Sequence, residues 1–255
     1  MASASESSRR KRRGHSAASP ASEAPEHTND DASDDAGDAT SGGLRVSKRH
    51  APKIDPRSYQ QVMAQVRAFS EQRFEQLITS VAQGFFGMAS REEVQLPELR
   101  SAFFAFFVLG YRDQNRIRVL DMFRGYGFKP DANQQRVLDA LSAATFRVVE
   151  ITHRHEGNRQ FDGRDILTQE SLRFVDKKAF DTLIVGDAIM AWFMPSGEVF
   201  RPVEVATQIE ALRLPGITAA LRSLAESSKM KPHELLSRNP AQAFWTVYRG
   251  VNVLR

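Results

Sequence analysis

The spacing of the apolar residues changes near Phe146 and changes back near Pro202. Before Phe146, apolar residues recur three or four positions apart, as they do on one face of an α-helix. After it, they alternate with polar residues and are interrupted by Gly, Asp and Asn, which is typical of short strands joined by turns. Beyond Pro202 the helical spacing returns. The pattern predicts an α+β fold with a helical N-terminal block, a small five-stranded β-barrel-like domain and a helical C-terminal block.

Composition and spacing together divide the chain into four segments. Residues 1–54 are rich in Ser, Ala, Asp and Glu and nearly free of large apolar side chains. Because such a segment cannot bury enough surface to offset its chain entropy, we expect a disordered, low-complexity tail. We expect the helical block over residues 55–145, the barrel over residues 146–202 and the C-terminal helices over residues 203–255.

Local signals predict where several helices begin and end. Asp55, followed by a proline, is a helix N-terminal signal, and the apolar spacing beyond it predicts one helix of about 30 residues that ends near Gly84. Residues 103–109 are apolar on all sides, so we expect them to form the central buried helix. Residues 203–212 are expected to form a further helix, stopped by Pro215 and the glycine after it.

Turn residues break the central segment into five expected strands, which are too few for a two-sheet sandwich and favour a partly closed barrel. The expected strands are residues 146–153, 161–167, 171–176, 188–194 and 198–201.

Composition also limits the chemistry and the location. The chain has no cysteine, which excludes disulfides, thiolate zinc sites and cysteine nucleophiles. The formal net charge is +4, and since the first 50 residues carry eight basic and eight acidic side chains, the excess lies beyond them. A mildly basic body permits an anionic partner. The longest apolar run, residues 102–109, is too short to cross a bilayer, so we expect no membrane association and a cytoplasmic location.

Three strings in the central segment resemble a group of uncharacterised bacterial proteins. The strings span residues 146–151, 165–170 and 185–195, and they follow an aromatic-rich stretch at residues 103–111. The resemblance covers about residues 96–200 and implies a helical cap on a β-barrel, without an activity. Some members also carry a zinc knuckle like the one at the C-terminus of the SecA translocase. That knuckle needs cysteine ligands, so its metal-dependent recruitment is not implied for this chain.

The first expected hairpin contains a local histidine pair. On a strand, His153 and His155 share a face, with Ile151 beside them. Two imidazoles could begin a metal site with Asp162 or Asp165, and the same carboxylates are candidates for general acid–base work. The alternative is a solvated strand end, with both carboxylates bonded to the turn backbone. No third metal ligand follows from the spacing.

Sequence motifs for cofactors are missing. The Gly125-x-Gly127 pair lacks a preceding strand and a third glycine, so a dinucleotide-binding fingerprint is rejected. No Gly-x-Ser-x-Gly nucleophile motif occurs. We therefore expect no cofactor and favour a protein that is not an enzyme.

Two groups of basic residues indicate where an anionic partner would bind. One lies in the tail and the other in the first expected hairpin, where small barrels bind nucleic acids through arginines. The candidate nucleic-acid-binding residues are Arg9, Arg10, Lys11, Arg12, Arg13, Arg154, Arg159 and Arg164. Neighbouring acids such as Glu150 and Glu156 would cancel part of this charge, so a mixed solvated surface is the alternative.

The leading functional hypothesis is a non-catalytic intracellular binding or adaptor protein whose first partner to test is nucleic acid or a ribonucleoprotein. One alternative is an enzyme or metal-dependent protein with its site around the first hairpin, at His153 and His155. Another is a purely protein-binding subunit that uses the C-terminal helix carrying Phe244, Trp245 and Tyr248.

Overall fold

A computed structural model describes residues 52–87 and 89–252 of the protein. The expected disorder of the tail, apart from residues 52–54, and the basic cluster Arg9–Arg13 lie outside these residues. Within them the chain forms eight α-helices and five strands, and the strands close into a barrel with helices before and after it. The α+β arrangement predicted from the spacing is confirmed. None of the described helices combines the length and apolarity needed to cross a bilayer.

Five helices precede the barrel and three follow it. The preceding helices are α1 (Pro56–Arg73), α2 (Glu75–Phe85), α3 (Pro97–Ala105), α4 (Val119–Gly125) and α5 (Ala132–Ser142). The following helices are α6 (Leu214–Ser227), α7 (Pro232–Arg238) and α8 (Pro240–Asn252).

The first predicted helix begins where expected but bends near its middle. Asp55 caps α1, since its Oδ2 accepts hydrogen bonds from the backbone N–H of Ser58 at 2.8 Å and from the Ser58 hydroxyl at 2.7 Å. The predicted helix of about 30 residues is two helices, separated at Phe74, where φ is −130°. The i−4 hydrogen bonds continue through Phe74, so the break is a bend that places its ring edge-on to Phe69.

The central apolar helix is buried as predicted, and it approaches the barrel closely. It continues from α3 into a π-helical turn over Phe106–Gly110, in which Phe107, Val108 and Leu109 are buried. A Cβ at Gly110 would lie 2.8 Å from the ring of Trp192 on the barrel wall. Glycine at this position therefore lets the helix contact the barrel.

The barrel is built from five strands of unequal length. They are β1 (Thr145–His155), β2 (Gln160–Asp165), β3 (Ser171–Phe174), β4 (Ala188–Ser196) and β5 (Val199–Ile209). The strand order around the barrel is β1-β2-β3-β5-β4, closed by pairing of β4 with β1. All pairs are antiparallel except β3 with β5, which meet in parallel at Phe174 and Phe200.

The last strand is much longer than predicted, and the helix expected over residues 203–212 is wrong. That segment continues β5 as far as Ile209. β-Branched residues at Val203, Thr207 and Ile209 recur at even spacing, and this period of two outweighs the helical spacing assigned to it. Pro215 does not stop a helix either, because it lies in the first turn of α6, where a proline is tolerated.

Strand β4 and the Phe146–Ile151 part of β1 are largely buried on both faces. Their inward side chains, among them Val149 and Phe193, fill the barrel with Phe161 and Phe174. Their outward side chains, among them Trp192, pack against the helices. One wall of the barrel is therefore also the base of the helical layer.

Truncation of the buried π-helical turn tests this packing. Phe107 is 1% exposed, so we expect Phe107→Ala to lower the free energy of unfolding by about 3–5 kcal/mol. The matched control is Leu212→Ala, because Leu212 is 91% exposed and its loss should change stability by less than about 0.5 kcal/mol. Urea denaturation of the three proteins measures both effects. Equal midpoints for wild type and Phe107→Ala would contradict this packing.

Candidate binding groove on the barrel

A groove of about 740 Å³ lies between the β1–β2 turn and the β4–β5 turn. Its floor is formed by the adjoining ends of β2, β3 and β5, and its rim by the chain segment that leads into α1. The lining residues are Lys53, Ile54, Pro56, Asn158, Gln160, Arg173, Val175, Lys177, Ser196, Gly197, Glu198, Val199 and Arg201.

The groove carries an excess of positive charge. Four of its lining residues are basic and one, Glu198, is acidic. Arg173 is paired with a carboxylate, whereas Lys53, Lys177 and Arg201 form no ion pair with another described residue. A concave surface with uncompensated cations attracts and concentrates anions.

The segment before α1 is fixed to the rim of this groove. The Pro52 carbonyl accepts a hydrogen bond from the N–H of Gly197 at 3.3 Å, and the N–H of Ile54 donates to the Ser196 hydroxyl at 3.1 Å. Gly197 has φ +68°, which favours glycine in this tight turn. Because Ile54 is buried, residues 52–54 belong to the folded body, although the sequence placed them in the disordered tail. These contacts hold Lys53 at the groove.

A polar chain crosses the outer face of the first three strands. Arg173 on β3 donates through Nε to Asp162 Oδ1 at 2.7 Å, and His155 Nε2 lies 2.8 Å from Asp162 Oδ2. The hydrogen bond from Arg173, more than that from His155, holds the pKa of Asp162 below its usual value. The same bond raises the pKa of Arg173. The Arg173 guanidinium is therefore held in a fixed position at the edge of the groove.

A β-bulge changes the face on which the histidine pair lies. The register of β1 against β2 shifts between Ile151 and His153, so that Thr152 is the extra residue. Ile151 is buried inside the barrel, whereas His153 is exposed and its ring lies 4.6 Å from that of His155. The prediction that the two histidines share a face is confirmed, but the prediction that Ile151 lies beside them is wrong.

The carboxylates proposed for a metal or acid–base site do not meet. Asp162 contacts His155, whereas Asp165 is buried at the other end of β2, where its Oδ1 accepts hydrogen bonds from the backbone of Leu167 and Thr168. The turn role considered for Asp165 is confirmed. Within residues 52–87 and 89–252, no three His, Asp or Glu side chains are grouped so that they could hold a metal ion.

The three hairpin arginines lie in two places. Arg154 and Arg159 both lie over the ring of Phe180, at 4.5 and 5.3 Å from its centre. Arg159 also donates to the backbone carbonyl of Lys177 at 3.2 Å, so it borders the groove. Arg164 is separate, paired on the outer face of β2 with Glu150 at 3.1 Å.

A second groove continues from the first across the β3–β5 seam. The two share Val175, Lys177 and Arg201, and the second is also lined by Lys178 and Glu204. The basic and acidic side chains that line the two grooves therefore form one continuous surface.

Glu204 is strained and partly buried where this surface meets the helices. It has φ +59° in a bulge of β5, a conformation that costs a non-glycine residue free energy. Its N–H lies 3.4 Å from the Tyr59 hydroxyl, and its carboxylate 3.5 Å from the Ser101 hydroxyl. Burial raises the pKa of Glu204, although the charges of Arg67 and Lys178 oppose the shift. Burial, and then the Glu204 charge, raise the pKa of Tyr59 to about 12.

Sequence reasoning missed most of this groove. Lys53, Lys177 and Arg201 come from three separate parts of the chain, and strand pairing brings them together. Lys53 lies within residues 1–54, for which the composition predicts a disordered tail. Arg201 lies within β5, four residues after the Pro-Ser-Gly turn, and carries no local signal of a binding role.

The raised pKa of Glu204 makes a pH-dependent prediction. The folded state holds this proton more tightly than the unfolded chain, whose carboxyl titrates near 4.5. At neutral pH, burial of the ionised Glu204 carboxylate therefore lowers the free energy of unfolding. This cost disappears as the pH falls through the raised pKa towards 4.5, because the carboxyl becomes protonated in the folded state. We expect Glu204→Gln, which has no charge to desolvate, to melt above wild type at about pH 7, with the difference shrinking towards about pH 4.

Thermal unfolding across this pH range is the measurement. The control is Glu210→Gln, directly after the end of β5, because the Glu210 side chain is 76% exposed and its charge is little desolvated by folding. A Glu204→Gln protein that melts below wild type at neutral pH would contradict the prediction, as would a difference that does not change with pH.

Comparisons with known proteins supply no relative. No protein-family model, no curated protein and no solved structure matches this chain. The resemblance to uncharacterised bacterial proteins therefore stays a prediction.

Proposed function

We propose that this protein binds single-stranded nucleic acid in the groove between the β1–β2 and β4–β5 turns, as a non-catalytic binding or adaptor protein. The observation that supports the proposal is the charge of the groove. Four basic side chains line it against one acid, and Lys53, Lys177 and Arg201 form no ion pair with another described residue. The phosphates of a nucleic-acid backbone would supply the complementary negative charges.

The topology of the barrel supports the same location by analogy. A closed five-stranded barrel in the order β1-β2-β3-β5-β4 has the connectivity of the OB-fold. Barrels of that kind bind oligonucleotides and oligosaccharides on the face of strands 2 and 3 and on the loops that join strands 1–2 and 4–5. The groove lies at that position. A fold alone does not assign a function, so this analogy is secondary to the charge of the site.

The side chains around the groove favour a single strand over a duplex and an anionic chain over a neutral sugar. Lys53 and Lys177 are exposed and able to follow a flexible backbone. The planar guanidinium of Arg173, fixed by Asp162, offers a surface on which an unpaired base can stack. No described helix projects from the groove for insertion into a duplex major groove, so we expect little sequence preference.

The alternative of a protein-binding subunit has less support. The side chains of Phe244, Trp245 and Tyr248 on α8 are buried against the helical core. The Phe85 ring lies 5.4 Å from that of Phe244 and 5.7 Å from that of Trp245, tilted against both. A partner that used them would have to displace α8 from the fold. A protein partner elsewhere on the surface is an outcome of the binding test below.

Charge removal in the groove tests the proposal. We expect Arg201→Gln and Lys53→Gln each to weaken the binding of a labelled single strand of about 16 nucleotides. Each lost phosphate contact should also lower the slope of log K against log salt by about 0.7, because fewer counterions are released. Fluorescence anisotropy of the full chain at several salt concentrations measures both quantities.

Arg164→Gln is the matched control, since it removes the same charge from an arginine outside the groove. The groove proposal expects wild-type binding and slope for this variant. The first sequence-based hypothesis, which included Arg164 among the contacts, expects a loss. Wild-type binding by both Arg201→Gln and Lys53→Gln would reject the groove as the site and place the nucleic acid elsewhere on the chain. No binding by wild type at low salt would reject nucleic acid as the ligand and favour a protein partner.

A further inference from the structure

A second cavity, of about 260 Å³, lies at the opposite end of the β1–β2 hairpin from the groove, between the barrel and the helices. Six elements line it: the π-helical turn, the connection before α4, the start of β1, the β2–β3 turn, β4 and α7. Its lining residues are Leu109, Arg112, Arg118, Ala144, Thr145, Phe146, Arg147, Asp165, Thr168, Trp192, His233, Leu236 and Ser237.

One wall of the cavity is apolar and the other is basic. Phe146, Trp192 and Leu236 are buried core residues with edges on the cavity. Three arginines and a histidine form the polar side, against one lining acid, Asp165. Apolar walls with a few convergent polar groups are the usual composition of a small-molecule site.

Arg118 is positioned by groups that lie outside the cavity. The Arg118 guanidinium donates hydrogen bonds to both carboxylate oxygens of Asp121, at 2.8 and 3.0 Å, and to the Ser142 carbonyl. Neither Asp121 nor Ser142 lines the cavity. The position of the Arg118 guanidinium is therefore set before any ligand enters, which lowers the entropy cost of binding.

Arg147 is held in the same way. Its Nε donates to the Thr145 hydroxyl at 2.9 Å, and its Nη1 donates to Glu170 at 2.7 Å and lies 3.7 Å from Asp165 Oδ2. Asp165 is itself occupied, because its other oxygen accepts two backbone hydrogen bonds from the β2–β3 turn. The one acid in the lining is thus satisfied by the protein.

Arg112 differs from the other two arginines. It is exposed at the mouth, forms no ion pair with another described residue, and makes only a 3.4 Å hydrogen bond to the Arg116 carbonyl. His233 is exposed on the facing helix α7. The donors that remain for a ligand therefore lie at the mouth, above the apolar wall.

From this arrangement we infer that the cavity binds a small organic carboxylate, with its carboxylate at Arg112 and its apolar body against Trp192 and Leu236. The volume admits a body of about one aromatic ring, and a planar carboxylate matches the paired donors of a guanidinium. This site is separate from the groove and does not rest on the function proposed for it.

Isothermal titration of the full chain with benzoate and phenylacetate tests the inference. Benzamide, which has the same shape without the charge, is the neutral comparison. We expect both carboxylates to bind and benzamide to bind at least about tenfold more weakly, because it lacks the charge-assisted hydrogen bonds. We expect Arg112→Gln to weaken benzoate binding by about tenfold, and Arg136→Gln, an exposed arginine on α5, to leave it unchanged.

Equal affinity of benzoate for wild type and Arg112→Gln would overturn the inference, as would equal affinity for benzoate and benzamide. The inference would also be overturned if neither benzoate nor phenylacetate bound at about 10 mM. A ligand of this size that fits the cavity should bind with a Kd near or below the millimolar range. Lys53→Gln, in the groove, should bind benzoate as wild type does. A loss there would place the carboxylate in the groove instead.

Discussion

Burial of β4 and of the Phe146–Ile151 part of β1 on both faces determines the rest of this structure. Every residue from Ala188 to Met194 is buried, with inward side chains in the barrel and outward side chains under the helices. A strand buried on both sides needs a partner layer, and α3, α5 and α7 supply it by packing on β5, β4 and β1. The principal helix contacts thus go to one side of the barrel. The side made of β2 and β3 is left for solvent, and the groove lies at its end.

Much of this architecture could be predicted from the sequence, because it depends on local periodicity. The change of period near Phe146, the cap at Asp55 and the apolar run at residues 103–109 each specify an element without knowledge of distant contacts. The extension of β5 beyond Pro202 could also have been predicted, since its β-branched residues lie at even spacing. The bend at Phe74 could not, because the hydrogen bonds of the helix continue through it and only ring packing marks the change.

The candidate site was less predictable, for a physical reason. Side-chain direction on a strand depends on an uninterrupted alternation, and one extra residue at Thr152 moves His153 to the face opposite Ile151. The groove depends on register as well. Lys53, Arg173 and Arg201 meet because Ile54 is buried beside the β4–β5 turn and because β3 and β5 pair in parallel at a single point. No local pattern in the sequence encodes either condition. Proximity in sequence instead indicates Arg154, Arg159 and Arg164, which lie in one hairpin.

The groove combines two kinds of cation that are suited to different parts of an anionic chain. Arg173 is neutralised by Asp162, so its contribution is a fixed plane rather than net charge. Lys53, Lys177 and Arg201 keep their charge. At 0.1 M salt their attraction for an anion is largely screened at distances beyond about 10 Å. Because no carboxylate of a described residue compensates these three side chains, they repel one another and lower the stability of the free protein. Bound phosphates would relieve that repulsion, so the same residues that weaken the empty groove would stabilise its complex.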